Sequence, residues 1–451
     1  MKMPISPPDI TSIIKEDFQL ILMIMKQGSL TDSKGRYLHW DKLRHYTPPK
    51  GLTNEQWWAS IKLNRQNSYK KLPFKDKYKN TFSFCVTDLI QQETHWFDVH
   101  AAETISFNRP IANKETRNTY LIKSLVEESI SSSQLEGATT TIKVAKEMIR
   151  QRREPRDKSE RMIINNYFAM EFIREYKDDD LTPQLLFELH RILTEGTLDE
   201  PSKAGKLRDK NDNVCVVGRM GSNILHVPPD ATELNDRINT ICNFANNSFD
   251  STLNFIHPVI RAIILHFILA YDHPFVDGNG RTARALFYWA MIKQGYWLTE
   301  FISISKIIKN AQSQYGKSFL YTETDDSDVT YFIIHQLEVI REAITSLYAY
   351  LEKKGTEIEH AKTTLRNAKY SGSKLNSRQL ALLHHALKHS RFVYTIIGHK
   401  NSHNISYDTA RKDLIQMSDK LNLLIKHKEG REFIFISPSD LEERISKLKT
   451  T

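Results

Sequence analysis

One stretch, residues 273–284, constrains the fold more than any other part of the chain because it places polar residues and glycines between two apolar segments. Upstream, Val259, Ile263 and Phe267 recur at helical spacing and most of their neighbours are apolar, which predicts a helix buried on most sides. Downstream, apolar residues from Ala285 onwards predict a second helix. A proline and a Gly-Asn-Gly run separate the two helices, so the stretch is predicted to be a loop that ends at a helix N-terminus.

This loop has the features of an anion site. Free backbone N–H groups and the helix dipole at a helix N-terminus favour a negative charge. Gly278 and Gly280 allow backbone amides to close around phosphate oxygens. Arg281 and Arg284, three residues apart, lie on one helix face, where each can bind a phosphate through two parallel hydrogen bonds. A phosphate is therefore the predicted ligand.

Two further side chains indicate chemistry at this phosphate. Asp277 can hold Mg²⁺ through one carboxylate while the ion keeps its waters and its phosphate ligands. His273 precedes the glycines, where it can take a proton from an incoming hydroxyl. A lone G-x-G, or a lone histidine near a helix end, is more often structural, but the full ordered set is hard to obtain by chance. The set suits phosphoryl or nucleotidyl transfer.

The stretch resembles the active-site motif of Fic-domain proteins, H-P-F-x-[D/E]-G-N-G-R-x-x-R, at every defined position. The resemblance implies transfer of AMP from ATP to a Ser, Thr or Tyr hydroxyl of a protein, with release of pyrophosphate. It implies His273 as general base, Asp277 as the Mg²⁺ ligand and Phe275 as the anchor of the loop. The ATP-binding residues that it implies are Gly278, Asn279, Gly280, Arg281 and Arg284, the last on the γ-phosphate. Some family members transfer phosphocholine, but the complete motif favours ATP.

A second segment, residues 132–137, resembles the Fic inhibitory motif [S/T]-x-x-x-E-[G/N] at the end of a helix predicted over residues 116–137. A carboxylate at Glu136 paired with Arg284 would occupy the donors that the γ-phosphate needs. The resemblance therefore implies an autoinhibited enzyme with low resting activity. The alternative is a glutamate that caps or solvates a helix end. In some family members the same glutamate is linked to removal of AMP, and the sequence leaves that direction open.

Two short apolar runs between residues 214 and 227 flank a glycine-containing turn and predict a β-hairpin. In Fic proteins such a hairpin is a flap that holds the backbone of the target beside the motif, and an exposed strand edge can accept a peptide by strand addition. The implied partner is a hydroxyl of a target protein, including the chain itself. Tyr315 or Tyr321 is a candidate for lining an adenine pocket.

The predicted fold class is mainly α: a Fic helical core with a short β-hairpin flap, and a C-terminal winged helix-turn-helix. Three regions are expected. Residues 1–105 form an N-terminal module of unknown role, residues 106–354 form the Fic core, and a charged linker leads to a winged-helix domain over residues 375–451. The last region combines a predicted helix near residue 380, a recognition-type helix over residues 405–414 and a two-stranded wing.

The winged helix suggests a second partner. Arg411 and Lys412 on the recognition-type helix could contact DNA phosphates, whereas Asp408 and Asp413 weaken that interpretation. The sequence favours DNA binding and protein contact, including a homodimer, equally as the role of this region. The corresponding alternative function is a DNA-binding regulator whose Fic core only senses nucleotide.

Whole-chain properties place these motifs in a globular protein. The chain has 451 residues, 40% hydrophobic residues and a net charge of +9, and a modest excess of this size is typical of a solvated basic surface. Three widely spaced cysteines without C-x-x-C fit a reducing cytoplasm. No secretory signal is evident, and the apolar run Phe18 to Met25 is too short to span a membrane and is predicted to form one face of a buried helix.

Overall fold

A computed structural model of the protein describes residues 2–16, 28–102, 114–151, 153–218, 223–246, 255–367, 375–429 and 432–446. The predicted buried helix at Phe18 to Met25 lies outside these ranges. Within them, none of the helices combines the length and the apolar character that a membrane crossing requires.

Helices make up most of the described chain, which confirms the mainly α prediction. The N-terminal helices are α1 (Ile10–Glu16), α2 (Trp40–Leu43), α3 (Asn54–Ser68) and α4 (Asp88–Phe97). The central helices are α5 (Lys114–Leu135), α6 (Ile142–Gln151), α7 (Lys158–Glu175), α8 (Pro183–Thr194), α9 (Leu234–Asn246), α10 (Pro258–Asp272), α11 (Asn279–Lys293), α12 (Ile304–Asn310), α13 (Gln312–Thr324) and α14 (Thr330–Asn367). The C-terminal helices are α15 (Ser377–Lys388), α16 (Ile396–His403), α17 (Tyr407–Ile415) and α18 (Leu441–Ser446).

The described strands form small antiparallel sheets. Strand β1 (Lys70–Lys75) pairs with β2 (Thr81–Phe84), β3 (Val216–Val217) pairs with β4 (Ile224–His226), and β7 (Glu432–Ile436) lies between β5 (Val393–Thr395) and β6 (Ile425–Glu429). The pairing of β3 with β4 confirms the hairpin predicted between residues 214 and 227. Residues 219–222 at its turn lie outside the described ranges.

Helices α10 and α11 form the centre of the main hydrophobic core and are buried along almost their whole length. Helix α10 begins with Pro258, whose missing N–H costs nothing at the first helical position, and the His257 ring accepts a hydrogen bond from the Val259 N–H. It ends at Asp272, and the next residue, His273, has left-handed backbone angles. These observations confirm the two buried helices predicted around residues 273–284.

The N-terminal residues share this core. Phe74 and Phe82, on β1 and β2, belong to the same apolar cluster as α10 and α11. The backbone of Ser83 on β2 donates to the Ser327 carbonyl at 3.2 Å and accepts from the Val329 N–H at 2.8 Å, just before α14. The hairpin β1–β2 is therefore part of the central packing.

Buried charges strengthen the same contact. The Lys62 ammonium on α3 is 2.5 Å from the Asp325 carboxylate, and both residues are almost fully buried. Asp328, also buried, accepts hydrogen bonds from the hydroxyls of Tyr37 at 2.5 Å and Tyr69 at 3.0 Å. Arg65 is fully buried and donates to the hydroxyl of a tyrosine on α14. Each buried charge thus has a partner, as burial in a region of low dielectric constant requires.

In the second half of the core, α12 and α13 meet at Ala311, whose backbone leaves the helical region at φ −129° and ψ 40°. The predicted end of the core at residue 354, with a charged linker after it, is wrong, because α14 continues to Asn367. Residues 353–367 include three lysines, two glutamates, Leu365 and Arg366, which are good helix formers, and charge alone does not end a helix.

The C-terminal residues 375–429 and 432–446 build a separate apolar core. Helices α15, α16 and α17 precede the β6–β7 hairpin, and β5 adds a third strand to it, which is the order of elements in a winged helix-turn-helix. Helix α17 occupies the position predicted for the recognition-type helix. Helix α16 packs against α5 and α6, so the C-terminal unit rests on the helix that carries the inhibitory motif.

Candidate active site

His273 is held at the C-terminal end of α10 by its backbone. Its left-handed conformation, φ 47° and ψ 56°, turns the chain out of the helix while its N–H still donates to the Leu269 carbonyl. The buried Arg208 guanidinium donates from Nε to the His273 carbonyl at 2.7 Å and from one Nη to the Pro229 carbonyl at 2.6 Å. Arg208 therefore ties the histidine to the segments on both sides of the flap.

The side chain of His273 is prepared to act as a base. Its Nδ1 lies 2.9 Å from the Ala270 carbonyl, which can only accept, so Nδ1 carries the proton and Nε2 keeps its lone pair. Burial lowers the pKa of His273 below its usual value, so the ring is neutral at neutral pH. A neutral imidazole with one free acceptor nitrogen can take a proton from a hydroxyl.

Phe275 anchors the loop in the core, as the resemblance implies. It is fully buried, and its ring stacks on the His190 ring with centroids 3.7 Å apart and planes within 5°. Burial lowers the pKa of His190 to about 4, so this ring is neutral. Its Nδ1 accepts from the Gly205 N–H at 3.0 Å, and its Nε2 donates to the Asp277 carbonyl at 2.9 Å. His190 thus fixes both ends of the Phe275–Asp277 segment.

Asn279 has a different side-chain position from the one that its predicted role suggests. Its amide accepts from the Phe275 N–H at 2.9 Å and donates to the Phe275 carbonyl at 2.8 Å, which closes the loop over four residues. Both ends of the amide are therefore engaged with the protein backbone. The contribution of Asn279 to phosphate binding would come through its backbone N–H at the first position of α11 and through the shape of the loop.

The glycines of the loop are required by close packing. Gly278 has φ +81°, and a Cβ there would lie 2.7 Å from the Thr194 side chain. A Cβ on Gly280 would lie 2.2 Å from a carboxylate oxygen of Glu136. Helix α11 has no side-chain cap at its N-terminus. The first turn of α11 is therefore open to an oxygen ligand, and the oxygen next to it in this structure belongs to Glu136.

Arg281 is a buried cation whose hydrogen bonds are incomplete. Its side chain is fully buried, and one Nη donates to the Leu193 carbonyl at 2.7 Å. Among the residues that the structure describes, its Nε and second Nη have no hydrogen-bond partner, and the nearest carboxylate oxygen, on Asp277, is 3.8 Å away. Burial of a guanidinium with two unused donors is unfavourable unless an anion completes the set. Arg281 is thus arranged to receive an anionic oxygen.

Arg284 lies one turn away, and its Nε and Nη2 are occupied. Its Nε donates to the Ser132 hydroxyl at 2.9 Å, and its Nη2 donates to the Ser132 carbonyl at 3.1 Å and to Glu136 at 2.8 Å. The pairing of Glu136 with Arg284 predicted from the sequence is therefore present. Two donor nitrogens of Arg281 have no partner among the described residues, whereas Nε and Nη2 of Arg284 are bound, although both arginines belong to the same predicted phosphate site.

Asp277 fits the part predicted for it in binding Mg²⁺. Its side chain is 57% exposed, and one carboxylate oxygen accepts from the Gly278 N–H at 2.6 Å, which leaves the other oxygen available. In the described part of the chain, no three His, Cys, Asp or Glu side chains converge as a metal site. A single carboxylate beside a phosphate site suits Mg²⁺, which prefers to keep waters and phosphate ligands.

The flap and the tyrosine candidates complete the surroundings. Val217 and Ile224, paired across β3 and β4, are 50% and 60% exposed, so the hairpin offers an apolar surface and a free edge. Tyr315 packs against the main core, with its hydroxyl 3.0 Å from Nε2 of His266 on α10. Tyr321 instead stacks on the ring of His39, in the N-terminal residues. Of the two tyrosines, Tyr315 is the one beside the helices that form the site.

Sequence reasoning missed several residues of this site. Arg208 and His190 act on the loop through backbone carbonyls, and Ser132 contributes two of the contacts to Arg284. The signal available for Ser132 was its place as the first residue of the inhibitory motif. The roles of Arg208 and His190 depend on distant segments that meet only in the fold, so no local spacing indicates them.

Part of this chain is similar in sequence to known proteins. Residues 180–291 match the model of the Fic/DOC family. The protein adenylyltransferase Fic of Drosophila sechellia is 32% identical over 167 residues, which cover 36% of this chain and 31% of that protein. Its Drosophila virilis counterpart is 33% identical over 138 residues, 29% of this chain and 26% of that protein. This chain therefore spans less than a third of the length of these curated relatives.

A solved structure extends the similarity in fold. The crystal structure of a Fic family protein from Desulfovibrio desulfuricans G20 superposes with a TM-score of 0.50 at 15% sequence identity. The superposition covers 80% of this chain and 98% of that one. The fold similarity thus reaches well beyond the residues that match the family.

Proposed function

Because residues 180–291 form a Fic domain, we propose that this protein is an adenylyltransferase that moves AMP from ATP to a hydroxyl side chain of a protein. The observation that carries the proposal is the buried Arg281, whose two unused donors stand one helical turn from the loop of the candidate base His273. Nucleotidyl transfer to a hydroxyl needs a cationic group that binds the phosphate and a neutral base that takes the proton of the hydroxyl.

In the proposed reaction the target hydroxyl loses its proton to Nε2 of His273. The hydroxyl oxygen bonds to the α-phosphorus of ATP, the bond from that phosphorus to the bridging oxygen breaks, and pyrophosphate leaves. Arg281 and the N-terminus of α11 stabilise the charge on the phosphate oxygens. Arg208 and His190 keep the loop rigid, so the base and the phosphate site keep their relative positions.

Mg²⁺ is the proposed metal, and Asp277 is the residue that would hold it. When bound, the ion would neutralise charge on the phosphates of ATP. The free oxygen of the Asp277 carboxylate and its exposure fit a ligand that leaves most coordination positions to waters and phosphates.

The flap supports a protein as the acceptor. Its exposed apolar residues and free strand edge suit an extended segment of a target protein, or a segment of another copy of the chain in self-modification. The three cysteines are free thiols, which fits the reducing cytoplasm as the proposed compartment.

Glu136 is proposed to hold this enzyme in an inhibited state. With its Nε and Nη2 bound to Ser132 and Glu136, Arg284 is not free to bind the γ-phosphate through two parallel hydrogen bonds, and Glu136 also covers Gly280 at the start of α11. ATP would then bind with its terminal phosphates displaced and its α-phosphorus out of line with the hydroxyl. The inhibition is a competition between one carboxylate and one phosphate for the same cation.

We expect Glu136→Gly to raise the transfer of AMP by about 10- to 100-fold, the equivalent of one charge-assisted hydrogen bond. The measurement is transfer of label from α-labelled ATP to protein in the presence of Mg²⁺, with the purified chain alone and with cell lysate. Glu127→Ala is a matched control, since it removes another carboxylate of α5 that pairs with Lys306 instead. Absence of label in every sample would contradict AMP addition and favour AMP removal, another donor such as a phosphocholine compound, or a regulator that only senses nucleotide.

One observation favours a second function at the C-terminal unit. Asp413, which weakens a DNA-binding interpretation of the sequence, is buried and accepts from Arg378 at 2.8 Å and Asn376 at 2.8 Å, with a ring nitrogen of His399 at 3.2 Å. It holds α17 to its neighbours and adds little charge to the outer surface. Arg411 and Lys412 are exposed on the same helix. We propose the phosphates of duplex DNA as ligands of these two side chains.

Duplex binding is tested by fluorescence anisotropy of a labelled DNA duplex over a series of salt concentrations. We expect Arg411→Ala and Lys412→Ala each to weaken binding and to reduce the salt slope by about 0.9 for each phosphate that the variant no longer neutralises. Lys50→Ala, at an exposed lysine of the N-terminal residues, is the control and should change neither quantity. Binding that is absent at low salt would leave protein contact as the role of the unit.

A further inference from the structure

Glu128 is a buried carboxylate on α5, two helical turns before Glu136. It is 1% exposed. One of its oxygens accepts from the Tyr288 hydroxyl at 2.9 Å, the Ser303 hydroxyl at 2.8 Å and the Ser305 N–H at 3.1 Å. The other accepts from the Ser305 hydroxyl. The carboxylate is thus satisfied by donors from α11 and from the start of α12, all of them buried.

Glu128 lies in one row with Ser132 and Glu136, the two residues that contact Arg284. Residues 128, 132 and 136 are spaced four apart and lie along one face of the end of α5, and Tyr288 follows Arg284 by four residues on α11. Ser132 and Glu136 meet Arg284, and Glu128 meets Tyr288. The end of α5 therefore touches α11 at two levels, one at the phosphate site and one a turn deeper in the core.

We infer that Glu128 is a positioning residue of the inhibited state: it anchors α5 in the core so that Ser132 and Glu136 stay on Arg284. This inference rests on the proposed function. Glu128 lies outside the inhibitory motif, residues 132–137, and would have a regulatory role from its position deeper in the core.

Glu136 needs such an anchor because few contacts of its own fix its position. It lies just beyond the last residue of α5, its side chain is 30% exposed, and it makes one ion pair. Holding two long side chains in one geometry costs conformational entropy, so the pair depends on a fixed backbone. Glu128 is buried and accepts four hydrogen bonds, so it resists movement of α5 much more strongly than Glu136 does.

The exposed contacts of α5 do not provide the same restraint. Glu127 is paired with Lys306 at 2.9 Å, but its side chain is 30% exposed and that of the lysine is 50% exposed. Apolar residues of α5, among them Leu125 and Ile130, are buried and would keep the helix in contact with the core when Glu128 is changed. Loss of Glu128 should therefore loosen the inhibitory contact without removing α5.

The test is the variant Glu128→Gln, which keeps the shape of the side chain but removes its charge and places an amide N–H₂ among donors. We expect label transfer from α-labelled ATP to rise about three- to tenfold, less than in Glu136→Gly because the apolar packing of α5 persists. In the Glu136→Gly background the same substitution should add nothing. Glu127→Gln is the matched control and should leave activity at the level of the unchanged protein.

The double variant separates this role from a purely structural one. If Glu128 only stabilises the fold, Glu128→Gln will lower activity in both backgrounds and never raise it, and the inference is overturned. An unchanged activity beside an activated Glu136→Gly overturns it as well, while the proposed function stands. If Glu136→Gly itself transfers no AMP, the proposed function fails first. Should Glu128→Gln not fold, Ser305→Ala, which removes one donor to Glu128, decides by the same criteria.

Discussion

Replacing His273 with alanine in the Glu136→Gly background is expected to lower the rate of AMP transfer by about 10²- to 10⁴-fold, the usual contribution of a positioned general base. The structure supplies the reason: Nδ1 is held by the Ala270 carbonyl, so Nε2 is the free acceptor. The measurement is the initial rate of label transfer from α-labelled ATP. Affinity for ATP should change little, because in the proposed reaction the histidine contacts the hydroxyl and not the phosphates.

His95→Ala, at an exposed histidine of α4, is the control and should leave the rate unchanged. Transfer that survives in His273→Ala at the parent rate would remove the base role. A loss of ATP binding in the same variant would indicate that the loop has collapsed, and His273→Gln would then separate the shape of the side chain from its basicity.

The same histidine determines the expected pH dependence. Burial lowers the pKa of His273 below its ordinary value of 6.5, so the ring stays neutral at pH values where an exposed histidine is already half protonated. The rate of the activated variant should therefore decline as the pH falls and His273 gains its proton, with a midpoint below pH 6.5. A decline centred above pH 6.5 would contradict a buried neutral base.

Replacing Arg281 with methionine in the Glu136→Gly background should lower AMP transfer by about 10²- to 10³-fold, the typical cost of losing one preorganised group that stabilises transition-state charge. Without nucleotide, the same change should leave the free energy of unfolding unaltered or raise it. The reason is that the guanidinium is fully buried with two unused donors, so an apolar side chain of similar length removes an unfavourable group. The activity should therefore fall without a loss of stability.

Thermal denaturation with and without ATP and Mg²⁺ checks this second prediction. ATP should raise the melting temperature of the Glu136→Gly parent because it binds the folded state. The methionine variant should lose that increase. Arg281→Lys is the informative comparison, since it keeps the charge but not the paired donors and should recover little activity. A large loss of stability in the nucleotide-free methionine variant would mean that Arg281 is a structural residue.

Much of the site could be predicted because its parts are neighbours in sequence. His273, Asp277 and Arg281 lie within nine positions, and the loop that joins two buried helices brings them together without help from distant segments. The contact of Glu136 with Arg284 could be predicted only because the two segments resemble paired motifs of one family. The structure places their side chains 2.8 Å apart.

Other features depend on long-range packing and had no local signal. Arg208 reaches the His273 carbonyl across 65 positions of sequence, and Glu128 meets Tyr288 across 160. Asp413 appears as a surface charge in the sequence, yet it is buried because Arg378 and His399 arrive from other helices. Burial of a charged side chain depends on partners that a linear pattern does not show.

Ion pairs join α3 to the segment before α14. We therefore expect the region that contains the candidate active site to fold poorly if it is moved into another protein without the N-terminal residues. A chain that began at residue 106 would leave Asp325 without Lys62, and Asp328 without its tyrosine donors, inside an apolar core that no longer contained Phe82. A protein recombined at residue 106 would therefore be destabilised, whatever the activity of its site. The N-terminal residues and the residues that match the Fic/DOC family therefore depend on each other for folding.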